Sequence, residues 1–227
     1  MTIIISALKI IFLLGFLILI HEAGHLIVAK LCKVKVNEFA IGFGPTIWKK
    51  QGKETKYALR LIPLGGFCSM EGEEERSENE GSFSKASVWK RIAIVLAGAT
   101  VNIVFGILVY FILVSTVGIQ FVDPARDTIA NRIYYGAQNT GKFITSIFDS
   151  IKMLFTGGLQ TDQMVGIVGI SEVVVKTNGI INYLNLLAVI SVSLGVTNLL
   201  PIPALDGGKI LILIIEIIRR KPMKMET

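Results

Sequence analysis

The chain has 227 residues, of which 52% are hydrophobic and only 18% charged, with 23 Lys and Arg against 17 Asp and Glu. Ordinary globular chains carry roughly 25% charged residues, and here the apolar residues fall in long runs, which excludes a disordered chain and argues against a soluble one. Two cysteines exclude a disulfide-built secreted scaffold, and the net charge of +6 reads as basic loops held against an anionic leaflet rather than as a nucleic-acid surface.

Three segments are long enough to cross about 30 Å of hydrocarbon, which takes roughly 20 apolar residues. The first is predicted at about 3–31; ionisable residues inside it and a single early charge, Lys9, distinguish it from a cleaved signal. The second, at about 92–119, carries no charge. The third, at about 180–218, is charge-free until Asp206 and is broken at 201–208 by Pro201, Pro203, Gly207 and Gly208. Proline removes a backbone donor, and irregular backbone at membrane depth survives only where protein buries it or a wet cavity meets it. Twelve Lys and Arg lie between Lys30 and Arg91, five lie between Gln120 and Gly179, and the tail holds Arg219, Arg220, Lys221 and Lys224. The positive-inside rule then places the 32–91 loop and the C-terminus in the cytoplasm, and the N-terminus and the 120–179 loop outside.

Within the first loop, Val34–Phe43 and Thr55–Ile62 lean towards strand, separated by Gly44-Pro45 and by the turn-like Gln51-Gly52-Lys53-Glu54. A hairpin or small curled sheet close to the membrane is predicted. The acidic stretch Glu71–Gly81 reads as a solvated loop. In the external loop, Phe143, Ile144, Ile147, Phe148, Ile151, Leu154 and Phe155 share one broad face. That pattern predicts an amphipathic helix on the outer surface or packed on the bundle. The fold class is therefore an α-helical polytopic membrane protein of three spans with a small membrane-associated β-hairpin.

The chemistry concentrates in His21-Glu22-Ala23-Gly24-His25, directly after eleven apolar residues. On a helix, positions i and i+4 share a face, so both imidazoles can reach one metal ion, with Glu22 beside it as a proton acceptor. An ionisable residue near mid-helix costs about 2.5–3.5 kcal/mol on insertion scales, and a bound cation compensates such a cluster. His21 and His25 are the only histidines, so a three-histidine site is impossible, and Leu31 stands where a longer motif would place a further histidine. The third ligand of a catalytic zinc is then a carboxylate or a cysteine. Asp206 is the candidate, in Asn198-Leu-Leu-Pro-Ile-Pro-Ala-Leu-Asp206-Gly-Gly, where the break lets its carboxylate turn inward. Glu216 is the rival, beyond the break, while Cys32 and Cys68 read as free thiols.

His21-Glu22-x-x-His25 in a first span, together with Asn198-x-x-Pro-x-Pro-x-Leu-Asp206-Gly, resembles the site-2 protease family of intramembrane zinc metalloproteases, and within it the bacterial regulator-of-sigma-E protease type. Further matches are Ile41-Gly-Phe-Gly-Pro45, Arg60-Leu-Ile-Pro-Leu-Gly-Gly-Phe67, and Phe83-x-x-Ala-x-x-Trp-Lys-Arg91 leading into Ala97-Gly-Ala-Thr-Val-Asn102. The resemblance implies one Zn2+ per chain held by His21, His25 and Asp206, with Glu22 as general base. It also implies that Asn102, Asn198, Pro201 and Pro203 hold an unwound substrate, and that a sheet around Gly42, Phe43 and Gly44 dips into the membrane and pairs with it. Larger relatives insert PDZ domains of roughly 80–100 residues between the second and third spans, where this chain has about 60, so a short form without one is expected. Ala99 and Ile167 stand where the family has proline, and the family pattern continues into a fourth span beyond Thr227.

The function so implied is cleavage of single-pass transmembrane segments, of the anti-sigma-factor or signal-peptide-remnant type, in regulated intramembrane proteolysis at the bacterial cytoplasmic membrane. Its partners are the transmembrane substrate, lipid, and a regulatory protein replacing the PDZ gate, with no nucleic acid. The alternatives are an inactive or truncated binder of transmembrane segments and, further off, a membrane metal transporter, for which Glu22 would have no use as a base.

Overall fold

The computed structural model describes residues 2–156 and 167–219. The sequence features at Arg220, Lys221 and Lys224, and the side chains of Leu154, Phe155 and Ile167, lie outside the described set. The elements run α1 (Thr2–Leu31), β1 (Val36–Gln51), β2 (Lys56–Met70), α2 (Val88–Leu113), α3 (Ile129–Thr156), α4 (Ile167–Lys176), α5 (Ile180–Asn198) and α6 (Asp206–Arg219), with a π-helical turn, Val114–Gly118, extending α2. Three helical stretches are long and apolar enough to cross a membrane: Ile4–Leu31, Val88–Gly118 and Ile180–Asn198. The molecule is thus mostly helical, an integral membrane protein with a small two-stranded sheet.

The chain forms two compact units. One contains Ile11–Ile103 and Leu194 onward, and everything that concerns the metal-binding motif lies in it. Here α1 ends in a left-handed residue, Lys33 (φ +60°), and the Val34 amide donates to the Ala29 carbonyl at 2.8 Å. This closure satisfies orphan carbonyls of the last turn and turns the chain directly into β1. The strands are longer than the β-leaning residues suggest, because β1 runs through Gly44-Pro45 to the tip. Gly42 (φ +89°) and Gly44 (φ +82°) supply the bend; a β-carbon at Gly42 would also stand 2.7 Å from the Ile62 carbonyl oxygen. The ribbon curls, so that Phe39 lies opposite both Cys68 and Tyr57, and Ile41 opposite both Gly66 and Leu59. Val36, Phe39, Cys68 and Met70 then meet Ala29, Phe83, Ile94, Val95 and Leu213 in one buried cluster.

The 71–84 segment is more ordered than a solvated loop. Glu71 accepts from Lys35 Nζ at 2.6 Å, from Ser77 Oγ at 3.1 Å and from Asn79, while the Phe83 amide donates to the Glu71 carbonyl at 2.7 Å. The Lys35 ammonium, Asn79 and Ser77 together hold the Glu71 carboxyl down to about 2. Phe83, 1% exposed, anchors the segment in the core.

The third apolar stretch is two helices rather than one opened helix. The break occupies 199–205, and Gly207 and Gly208 belong to the first turn of α6 instead of loosening it. Their role is close packing: a β-carbon at Gly207 would run into the Leu199 and Leu200 carbonyl oxygens, and one at Gly208 would stand 2.5 Å from the Ile202 carbonyl oxygen. Ala204, at φ +74°, makes the reversal.

The other unit contains the first ten residues and Val104–Ser193. In it α3 begins fourteen residues earlier than the apolar pattern suggests and packs on the bundle: the Phe143 and Tyr110 rings stack with centroids 4.2 Å apart, and the Gly136 backbone abuts Ser115. Lys9 donates to the Thr177 carbonyl at 3.1 Å and Tyr183 Oη to the Lys9 carbonyl at 2.7 Å, which gives the one charge early in α1 its partners.

Candidate metal centre

His21 and His25 lie one turn apart on α1, and both are nearly buried. Their Nε2 atoms are 3.2 Å apart. Asp206, in the first turn of α6, points its Oδ2 at the pair, 3.0 Å from His21 Nε2 and 3.3 Å from His25 Nε2. The position of His25 is set from behind, since its Nδ1 lies 2.8 Å from the Ile94 carbonyl oxygen on α2. A carbonyl only accepts, so Nδ1 carries a proton and donates it there, which turns Nε2 towards Asp206.

This donor set fits a zinc ion. Three donors bound tetrahedrally at about 2.0–2.1 Å stand about 3.3 Å from one another, which is close to the spacing seen here. Asp206 Oδ2 is buried, with both imidazole Nε2 atoms within 3.3 Å of it, so three potential donor atoms converge on one buried point. Such convergence is costly unless a cation is shared. Among the described residues, His21, His25 and Asp206 are the group of His, Cys, Asp and Glu side chains able to hold an ion.

The remaining sequence candidates fall around this point to different degrees. Glu22 follows His21 on α1, and its Cγ lies 3.3 Å from where a β-carbon on Gly66 would stand. The backbone of β2 therefore passes directly over the would-be base, and Ile41, opposite Gly66, brings the Gly42-Phe43-Gly44 bend next to it. Phe43 is half exposed, opposite Ile62. Asn102 is fully buried on α2, one turn beyond Gly98, whose backbone touches both imidazoles. Asn198 closes α5 and is partly buried, whereas Pro201 and Pro203 are exposed in the break.

Glu216 is not a rival ligand. Arg91 grips it in a buried fork, Nη1 to Oε2 at 3.0 Å and Nη2 to Oε1 at 2.6 Å. Sequence reading missed this pair, although a lone acid in an apolar helix and an arginine opening another are the signal for it. It also missed Lys209, whose Nζ lies 2.6 Å from Glu73 Oε1 and ties α6 to the loop after β2. Cys32 and Cys68 are free thiols. Burial pushes the Cys68 thiol up to about 12, far from the thiolate a metal requires.

The sequence model of peptidase family M50 matches residues 9–227. A provisionally named zinc metalloprotease of Clostridium perfringens is 30% identical, with 90% of this chain and 86% of the relative aligned. A similarly named protein of Clostridium acetobutylicum is 29% identical, over 91% and 86%. The zinc metalloprotease RasP of Bacillus licheniformis is 26% identical, over 95% and 91%. With nearly its whole length matched, the chain belongs to peptidase family M50, the site-2 protease family that its motifs resemble.

Proposed function

We propose that the protein is a zinc-dependent intramembrane endopeptidase with one ion per chain, held by His21, His25 and Asp206. The observation that carries this reading is the convergence of three lone-pair donors within 3.0–3.3 Å of one another, on an apolar helix, with Glu22 beside them. A zinc ion held there supplies Lewis acidity, polarising a peptide carbonyl and acidifying nearby water. Glu22 accepts a proton from the attacking water and delivers it to the departing amide nitrogen. The second ligand, His25, keeps its proton on Nδ1 through the Ile94 carbonyl, and so cannot compete as the acid at Nε2.

The substrate is a single-pass transmembrane segment that arrives extended, because an intact helix keeps its carbonyls paired. The ribbon around Gly42, Phe43 and Gly44 offers strand pairing next to Glu22, and Asn102 and Asn198 bind the opened backbone. Substrates of the anti-sigma-factor or signal-peptide-remnant type, in regulated intramembrane proteolysis, follow from the resemblance. The basic 32–91 loop supports a site near the cytoplasmic face, with the 120–179 loop outside. The alignment to the Clostridium acetobutylicum relative runs over 292 positions, more than the 227 residues of the chain, so that relative carries internal residues absent here. This supports a form without PDZ domains, its gating left to a partner protein.

The test is cleavage of a reporter with a helix-breaking transmembrane segment, in liposomes. The parent should cut, and Glu22→Gln should hold one zinc and cut at least about 100-fold more slowly. Equal rates for the two would sink the assignment.

A further inference from the structure

Several helix glycines in the metal-bearing unit leave no room for a β-carbon, but Gly98 differs in what it faces. At Gly24 the space for a β-carbon is taken by α2 backbone: the Ala97 carbonyl oxygen at 2.7 Å, its carbon at 3.0 Å and Gly98 Cα at 3.1 Å. At Gly195 the first obstacle is again backbone, the Ala99 carbonyl oxygen at 2.7 Å. At Gly98 the three nearest atoms all belong to the two imidazoles. His21 Nε2 and His25 Cε1 would each stand 2.8 Å from the β-carbon, and His25 Nε2 closer still. Real β-carbons do not come this near to other heavy atoms, because the repulsive wall is steep below van der Waals contact.

Two of those three atoms are the donor atoms of the site. A methyl group at 98 would therefore either push the imidazoles apart or fill the space between their lone pairs. The imidazoles have little room to retreat. They are nearly buried, His25 is tethered to the Ile94 carbonyl at 2.8 Å, and the Gly24 crossing keeps α1 and α2 in backbone contact at that same level.

We propose that Gly98 is a positioning residue of the metal centre: the side chain it lacks is the room in which His21 Nε2 and His25 Nε2 converge on the ion. This rests on the metal-centre reading above. Gly98 touches the ligands and not the reacting atoms, so its effect is read in metal affinity, and activity follows from that. The geometry also separates it from an ordinary packing glycine. If the conflict is with the imidazoles, it disappears when they are removed.

The experiment is a cycle in detergent with zinc alone as the probe, measuring zinc affinity by chelator competition and thermal unfolding. The four proteins are the parent, Gly98→Ala, His21→Ala/His25→Ala, and all three changes together. The parent should bind one zinc, and Gly98→Ala should lose affinity by about 100-fold or more, the upper range for residues that support metal ligands. In the background without histidines, adding Gly98→Ala should leave the melting temperature unchanged. Parental affinity in Gly98→Ala overturns the proposal. So does an equal drop in melting temperature in both backgrounds, which would make Gly98 a helix-packing residue. Should Gly98→Ala fail to fold, folding of the triple variant supports the proposal and its failure to fold overturns it. A parent without zinc removes the metal-centre reading itself, and the proposal with it, before any variant is compared.

Discussion

Helix α6 carries two buried carboxylates ten residues apart, and they are neutralised in different ways. Glu216 faces Arg91, a guanidinium that is always charged and matches a carboxylate with two parallel hydrogen bonds. Asp206 faces two imidazoles, one of them tethered so that its Nε2 points at the carboxylate. The first site is complete within the chain. The second, in the proposed reading, gathers its donor atoms around a metal ion. A buried acid held by an arginine is a structural joint, whereas one facing two imidazoles is the candidate ligand.

The contrast breaks most sharply at the ligand. Asp206→Ala should abolish zinc binding and cleavage together, and stripping zinc from the parent should lower its melting temperature as the variant does, both read by metal analysis and thermal unfolding. Next in size is the joint. Glu216→Ala leaves Arg91 buried and unpaired and should cost about 3–5 kcal/mol in unfolding experiments, with zinc stoichiometry kept at one. Replacing both by methionine should recover most of that loss, since well-packed apolar groups replace buried ion pairs without penalty in comparable cases. A Glu216→Ala protein that lost zinc while still folded would show that the two carboxylates form one site.

A smaller effect is expected at Ala204, whose left-handed backbone two residues before Asp206 costs about 1 kcal/mol for a residue with a β-carbon. Ala204→Gly should raise stability by about that amount without changing zinc affinity. The smallest concerns Glu71, a half-buried acid held to about 2 by Lys35, Asn79 and Ser77. A carboxyl lower in the folded protein than its ordinary value of 4.5 contributes order that is fully present above that value and is lost as pH falls towards 2. Amide exchange across residues 71–84 should therefore quicken over that window, while the core strands stay protected.

Local signals carried much of the reading, and their reach shows in particular residues. The three spans were legible because apolar runs report length directly, and α1, α2 and α5 lie where those runs do. The His21, Glu22 and His25 motif was legible because helical spacing is local. The long strands were not, since Gly42 and Gly44 read as a stop and serve as a bend. The glycines at 207 and 208 read as helix breakers, yet they sit inside α6, because what they relieve is contact with the 199–202 backbone. The length of α3 was missed because its first half has no clean apolar face, and its packing on Tyr110 and Ser115 supplies what periodicity lacks.

The sequence by itself determined that the chain belongs in a membrane and narrowed the candidate metal ligands to His21 and His25 with an acid or a thiol as the third. Those follow from composition and from spacings within one helix. Only the tertiary structure separates Asp206, which faces the imidazoles, from Glu216, which pairs with Arg91, 125 residues away in the chain. It likewise revealed that Gly98 faces the imidazoles and that Gly66 passes over Glu22. Contacts between distant segments depend on helix crossings that no local pattern encodes.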